Sequence, residues 1–153
     1  MTTAAGVGMS RHHNPNVAGR EAAEQALQKA DLDELDFVFM FASIGYDQHS
    51  LLRAVRETTG GAPLSGCSVE GTINGEDADE SNFSVVVTAI SSDELEWTNG
   101  LATGLSADSC AVGQRVAQEL LPTCPLTPLA FLSSRMECRL SSIPSLRRTS
   151  ITS

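Results

Sequence analysis

The chain has 153 residues, 41% of them hydrophobic and 19% charged, and its net charge is -9. That length and apolar content fit one globular domain with a real core and exclude a disordered chain. The acidic balance, with a pI near 4.6, excludes the basic face that a nucleic-acid backbone or an anionic membrane surface requires.

No apolar run is long enough to span a bilayer, and the start MTTAAGVGMS lacks the basic and apolar regions of a signal peptide. A soluble, cytoplasmic protein is expected. Its cysteines, Cys67, Cys110, Cys124 and Cys138, form no C-x-x-C pair and stand beside no zinc spacing of histidines. They are expected to be reduced thiols.

Ala4 to Ser10 is small and apolar and predicts a buried strand. RHHNPN is a breaker-rich loop whose Asn14-Pro15-Asn16 offers a helix start. From Val17 to Ala30 the residues Ala18, Ala22, Ala23, Ala26, Leu27 and Ala30 recur at helical spacing, leaving Arg20, Glu21, Glu24 and Lys29 on the wet side. An alanine-lined face lets a helix sit close to a sheet.

Phe37 to Ser43, FVFMFAS, is a short continuous apolar run of strand formers, expected at the centre of a sheet. Asp47 is placed to cap a second helix carrying Leu51, Leu52 and Val55, stopped at Gly60-Gly61. Ala62 to Val69 predicts a third strand, and the Val/Thr density of Asn82 to Ile90 predicts another. Leu95 to Ser106, with Trp97, reads as a further strand broken near Asn99-Gly100 and Gly104. Ala107 to Leu121 reads as a helix with Val112, Val116, Leu120 and Leu121 inward, ended by Pro122. The order β-α-β-α-β, then β-β, then α predicts an α/β fold: a mixed, mostly parallel sheet flanked by helices, with an antiparallel portion.

Beyond Pro122 the texture changes. One strand is still permitted at Leu129 to Leu132, but from Ala130 to Ser153 there are four arginines and one acid, with no convincing period. The expected organisation is a domain over 1–132 and a basic Ser/Arg-rich tail over 133–153. That tail reads either as disordered or as the product of a reading frame that slipped near residue 132.

The stretch most suggestive of chemistry is APLSGCSVEGTING. Gly66 and Gly71 let backbone approach a ligand, and exposed amides with the Ser68 hydroxyl suit a carboxylate or other anion. Open α/β sheets bind ligands at strand carboxyl ends, where this loop is expected. A plain glycine turn joining two strands explains the same residues equally well. Cys67 as a nucleophile needs a lowered thiol pKa and a base, and His12, His13 and His49 are the only histidines.

The acidic run Glu76 to Glu80 lacks the calcium-loop pattern and reads as a solvated turn, and His12-His13 without a further spaced ligand makes no metal site. Gly6 and Gly8 lack the third glycine of a dinucleotide fingerprint, and no Walker lysine stands near them, so no nucleotide cofactor is expected.

The succession AGVGMS, REAAEQAL, DFVFMFAS, DQHSLLRAVRE, APLSGCSVEGTI, SVVVTAI resembles the N-terminal domain of the FIST family (F-box and intracellular signal transduction), over roughly Thr3 to Leu132. Its most specific piece is Gly66-Cys67-Ser68-x-x-Gly71. The resemblance implies a sensory, non-catalytic module that binds a small molecule such as an amino acid. It also implies that a C-terminal FIST domain, the partner half in full-length members, is absent from this chain. The expected ligand contacts are Ser10, Gly66, Cys67, Ser68 and Gly71, with Ser10 at a neighbouring strand end. The rival readings are a Cys67-dependent hydrolase or transferase and a protein-interaction adaptor with an exposed apolar patch.

Overall fold

The computed structural model describes residues 3–31 and 34–120. Strand β1 (Thr3–Ser10) leads into helix α1 (Pro15–Ala30). Asn14 caps that helix, its side chain accepting from the backbone N–H groups of Asn16 and Val17, with Pro15 in the first turn where no donor is needed. Strand β2 (Phe37–Ser43) and helix α2 (Gln48–Thr58) follow. After α2 the chain reverses through Gly60 and Gly61, both at positive φ, a backbone state that a Cβ would oppose. Strand β3 (Leu64–Val69) precedes a two-stranded hairpin, β4 (Thr72–Ile73) and β5 (Ala78–Asp79), then strand β6 (Val85–Ser92) and helix α3 (Ser109–Leu120).

The main sheet has the order β1-β6-β2-β3. Strands β1, β2 and β3 share one direction, and β6 runs against them between β1 and β2. The mixed α/β sheet is as expected, but its ladders are two antiparallel and one parallel. The reason is the route into β6. The chain leaves β3, turns through the hairpin at the same end of the sheet, and returns in the opposite sense. Its run of Val85, Val86, Val87 and Ala89, all buried, suits a central slot covered on both faces.

One face of the sheet carries α1 and α2. The core there joins Ala18, Ala22, Ala23 and Ala26 of α1 to Val38, Met40, Ala42, Val85, Val87 and Ala89 of the sheet. Gly6 and Gly8 decide how close α1 comes. A Cβ on Gly6 would lie 2.0 Å from the Ala26 carbonyl oxygen, and one on Gly8 would lie 1.9 Å from that of Ala22. The helix backbone therefore rests on the strand backbone, which only a glycine strand facing an alanine helix permits.

The other face shows Phe37, Phe39 and Phe41. Trp97 stacks on Phe37 with ring centroids 5.1 Å apart and meets Phe39 edge-on at 5.8 Å. The strand expected over Leu95–Ser106 is not present; these residues form no ladder. Their large apolar group covers the phenylalanines instead, and Gly104 at φ 97° turns the chain before α3. In α3, Val112 is buried and Val116 half-buried, while Leu121 and the strand expected at Leu129–Leu132 lie outside the described residues. No helix among the described residues is long and apolar enough to cross a membrane.

The Gly8→Ala substitution is expected to lower the urea midpoint by an amount equivalent to ~1–3 kcal/mol, the range for overpacking a filled contact. Gly113→Ala, inside α3 with nothing near its added Cβ, is expected to be neutral or to raise stability by up to ~1 kcal/mol. Far-UV circular dichroism in urea measures both. Equal effects at the two positions would contradict the close approach of α1.

Candidate functional site

Because β1, β2 and β3 point the same way, their carboxyl ends share one rim. Three side-chain groups tie the rim together. Tyr46, only 5% exposed, donates its hydroxyl to the His12 carbonyl at 2.9 Å. Burial, with smaller contributions from the Asp79 and Glu21 carboxylates, pushes this phenol up to about 12, so it remains a donor throughout the physiological range. Phe83 sits between His13, stacked at 4.5 Å, and Tyr46, edge-on at 5.4 Å. Ser43 Oγ accepts from the Ser84 N–H at 2.8 Å and donates to the Ser84 carbonyl at 3.2 Å, while the Thr72 and Ser84 hydroxyls meet at 2.5 Å. These buried hydroxyls satisfy one another and anchor the foot of the hairpin.

The β4–β5 hairpin turns at Asn74-Gly75. The Asn74 carbonyl oxygen of the side chain accepts from the N–H groups of Glu76 and Asp77 at 3.0 and 2.7 Å, and Gly75 takes φ 94°. Arg11, the first residue after β1, reaches the hairpin with both ends of its guanidinium, Nη2 to Asp77 and Nε to Asp79. The Asp79 carboxylate is 10% exposed. The Ser81 hydroxyl and N–H, then Arg11, hold it down to about 2. Arg11 likewise holds Asp77 below its ordinary value, helped by the Ala78 N–H. The run expected as a solvated acidic turn is thus partly an ion-pair partner of β1.

Between the hairpin and α1 lies a cleft of about 450 Å³. Its floor is the end of β1, with Met9, Ser10 and the following Arg11 and His12. One wall is α1, which contributes Glu21, Gln25 and Lys29; the other is the hairpin turn, with Asn74, Glu76 and Asp77. Glu21, Gln25 and Lys29 stand four residues apart, one stripe of a helix. Two of them already hold the strand end: Glu21 Oε2 accepts the Ser10 hydroxyl at 2.7 Å, and Gln25 Oε1 accepts the Met9 N–H at 3.2 Å.

Of the five residues selected from sequence, only Ser10 lines this cleft. Gly66, Cys67 and Ser68 are not in a loop but inside β3, paired with Met40, Phe41 and Ala42. A Cβ on Gly66 would lie 1.8 Å from the Met40 carbonyl oxygen, so its glycine serves strand packing. Gly71 is exposed between β3 and β4. Ser10 is not a neighbour of Gly66, Cys67 and Ser68, because β6 and β2 intervene; three strand spacings amount to about 14 Å.

Cys67 pairs with Phe41 and shares its face of the sheet, while His12 and His13 follow β1 at the opposite edge. Among the described residues no group of three or more His, Cys, Asp or Glu side chains is placed to hold a metal. The large apolar side chains that are exposed, Ile44, Ile73 and Leu101, include two at the rim.

Sequence reasoning missed Arg11, Glu21, Gln25, Lys29, Glu76 and Asp77 as site residues. The signal in the sequence is the four-residue spacing on α1, of which Glu21 and Lys29 read as wet-side residues because the partner hairpin is remote in sequence.

In comparison with known families, the model described as the FIST N domain matches residues 36–151, well over half of the chain. The match begins at the foot of β2, after β1 and α1, and runs past Leu132, where the resemblance was expected to stop. No protein of curated function matches the chain.

The hairpin contact depends on pH. A carboxylate whose folded pKa lies below its ordinary 3.8 favours the folded arrangement above that value and loses the contribution as pH falls through the folded pKa. Protection of the β4–β5 amides from hydrogen exchange, corrected for intrinsic rates, is therefore expected to fall between about pH 4 and 2, ahead of β6 amides. In Arg11→Ala it is expected to be reduced already at pH 7. Identical protection in the two proteins at every pH would show that Arg11 does not hold the hairpin.

Proposed function

The chain belongs to the FIST N domain family, associated with sensory roles in signal transduction, and on that basis we propose that it receives a small molecule in the cleft between α1 and the β4–β5 hairpin. The observation that carries this reading is the convergence of three remote segments on one concave site. A strand end, one stripe of a helix and a clamped turn together surround a volume that suits a metabolite. The lining mixes apolar stems with polar groups of both signs of charge, which suits a zwitterion of the amino-acid type. The cleft opens at a strand carboxyl end, the usual ligand position in open α/β sheets.

The role proposed is reception without chemistry. Ser10 contacts the ligand at the floor, and the Arg11 clamp sets the distance of the hairpin wall. A ligand touching both walls adds to that clamp, giving the hairpin two states that differ in how firmly it is held, a difference a signalling partner is able to read. Gly66, Cys67 and Ser68 lie in β3, at the other edge of the sheet, while Gly71 backs the hairpin that forms the cleft wall.

Purified protein screened by thermal denaturation against the twenty amino acids is expected to gain several degrees in Tm with at least one member. Ligand at a hundredfold excess over Kd contributes about 2.7 kcal/mol. Ser10→Ala is expected to weaken that ligand at least fivefold. A folded protein with a flat response to the whole panel would sink the reading, and an unchanged Kd in Ser10→Ala would remove the ligand from this cleft.

A further inference from the structure

The cleft is polarised along its length, and that polarity selects a ligand class; this step rests on the cleft being the ligand site. Of its two fixed cations, Arg11 is already committed, since its guanidinium serves Asp77 and Asp79 together. Two carboxylates on one guanidinium leave that corner negative. Glu21 accepts one hydrogen bond from Ser10 and, like Glu76 across the cleft, takes part in no salt bridge among the described residues. Lys29 is the other cation. It stands eight residues beyond Glu21 on the same stripe of α1, about 12 Å further along the helix axis.

At one end of the cleft the Glu21 carboxylate therefore adjoins the Arg11 cluster, the hairpin wall adds the Glu76 carboxylate, and the far end of the helix stripe offers a single ammonium. An anionic metabolite finds Lys29 but meets Glu21, Glu76 and the Arg11 cluster with the wrong sign. A plain zwitterion is too short to use both ends. An extended molecule with a cationic head and a carboxylate tail satisfies both.

We propose that the cleft selects a small, extended organic cation of the basic amino-acid class, its distal amine or guanidinium between Glu21 and Glu76 and its carboxylate at Lys29. In this arrangement Ser10 orients Glu21 toward the cation. Met9 on the floor and Gln25 on the α1 wall, already paired with each other, form the neutral middle of the cleft.

The test uses the intact protein and calorimetric titration with L-lysine, L-arginine, L-leucine, L-glutamate, succinate and cadaverine, the last being lysine without its carboxylate. Lysine or arginine is expected to bind at least tenfold more tightly than glutamate, leucine or succinate. Glu21→Gln and Glu76→Gln are each expected to weaken that ligand about tenfold. Lys29→Met is expected to weaken lysine while leaving cadaverine unchanged.

Tighter binding of glutamate or succinate, abolished by Lys29→Met, would overturn the charge assignment while upholding the cleft as the ligand site. Leucine binding as well as lysine would remove the distal cation from the recognition. Lysine binding that ignores both glutamate substitutions would place the ligand elsewhere, and silence from all six compounds would overturn this inference, with the twenty-member panel left to decide the reading beneath it. Glu21 is half-buried and Glu76 exposed, so the two variants serve as independent checks, each verified as folded by circular dichroism.

Discussion

The backbone of α1 lies directly on the backbone of β1, and most of the architecture follows from that contact. Gly6 and Gly8 leave the space and the alanines of α1 fill it without projecting. Dispersion between closely packed atoms, rather than a few large side chains, holds this layer. The close approach has a second consequence on the outer side of the helix. Glu21 and Gln25 are brought within hydrogen-bonding reach of the strand end, so the polar stripe of α1 becomes a wall rather than a solvated surface. Gly19 repeats the device toward α2, where a Cβ would lie 2.9 Å from the Leu51 carbonyl oxygen.

The placing of β6 divides the molecule's chemistry. By entering between β1 and β2 it separates Ser10 from Gly66, Cys67 and Ser68 and leaves β1 and β3 as opposite edges. Each edge has one side-chain amide on its backbone: Gln25 accepts from the Met9 N–H, and Asn99 donates to the Leu64 carbonyl at 2.9 Å. Capped in this way, an edge offers fewer free groups for unwanted pairing with another chain. The phenylalanine face beyond receives Trp97, so a segment without regular structure does the covering that a helix does on the opposite face.

Charge is used sparingly in a chain that is strongly acidic. Arg11 spans two carboxylates of a hairpin more than sixty residues away. The pairing is largely at the surface, where a single ion pair contributes little, so its role is to position the hairpin wall rather than to stabilise the fold. The buried hydroxyls of Ser43, Ser84 and Thr72 secure the same hairpin from beneath. A wall anchored at its foot and clamped near its tip is a part whose position a small ligand is able to influence.

The amino-acid order by itself determined the elements whose signals are local. The alanine period of α1, the Asn14-Pro15 start, the FVFMFAS strand and the Gly60-Gly61 stop all depend on neighbours within a few residues, and each appears where that chemistry puts it. The family likeness was legible for the same reason, through short motifs in a fixed succession. The strand expected over Leu95–Ser106 failed because an aromatic residue serves a ladder and a packed cover equally well, and only the presence of Phe37 and Phe39 beneath Trp97 decides between them. Tertiary structure alone decided the partnership of Arg11 with Asp77 and Asp79, the inclusion of Glu21 and Lys29 in a cleft, and the pairing of Gly66 with Met40 in a strand ladder. Those facts depend on where β6 inserts, and strand insertion is settled by the sum of contacts across a whole sheet, which no window of sequence contains.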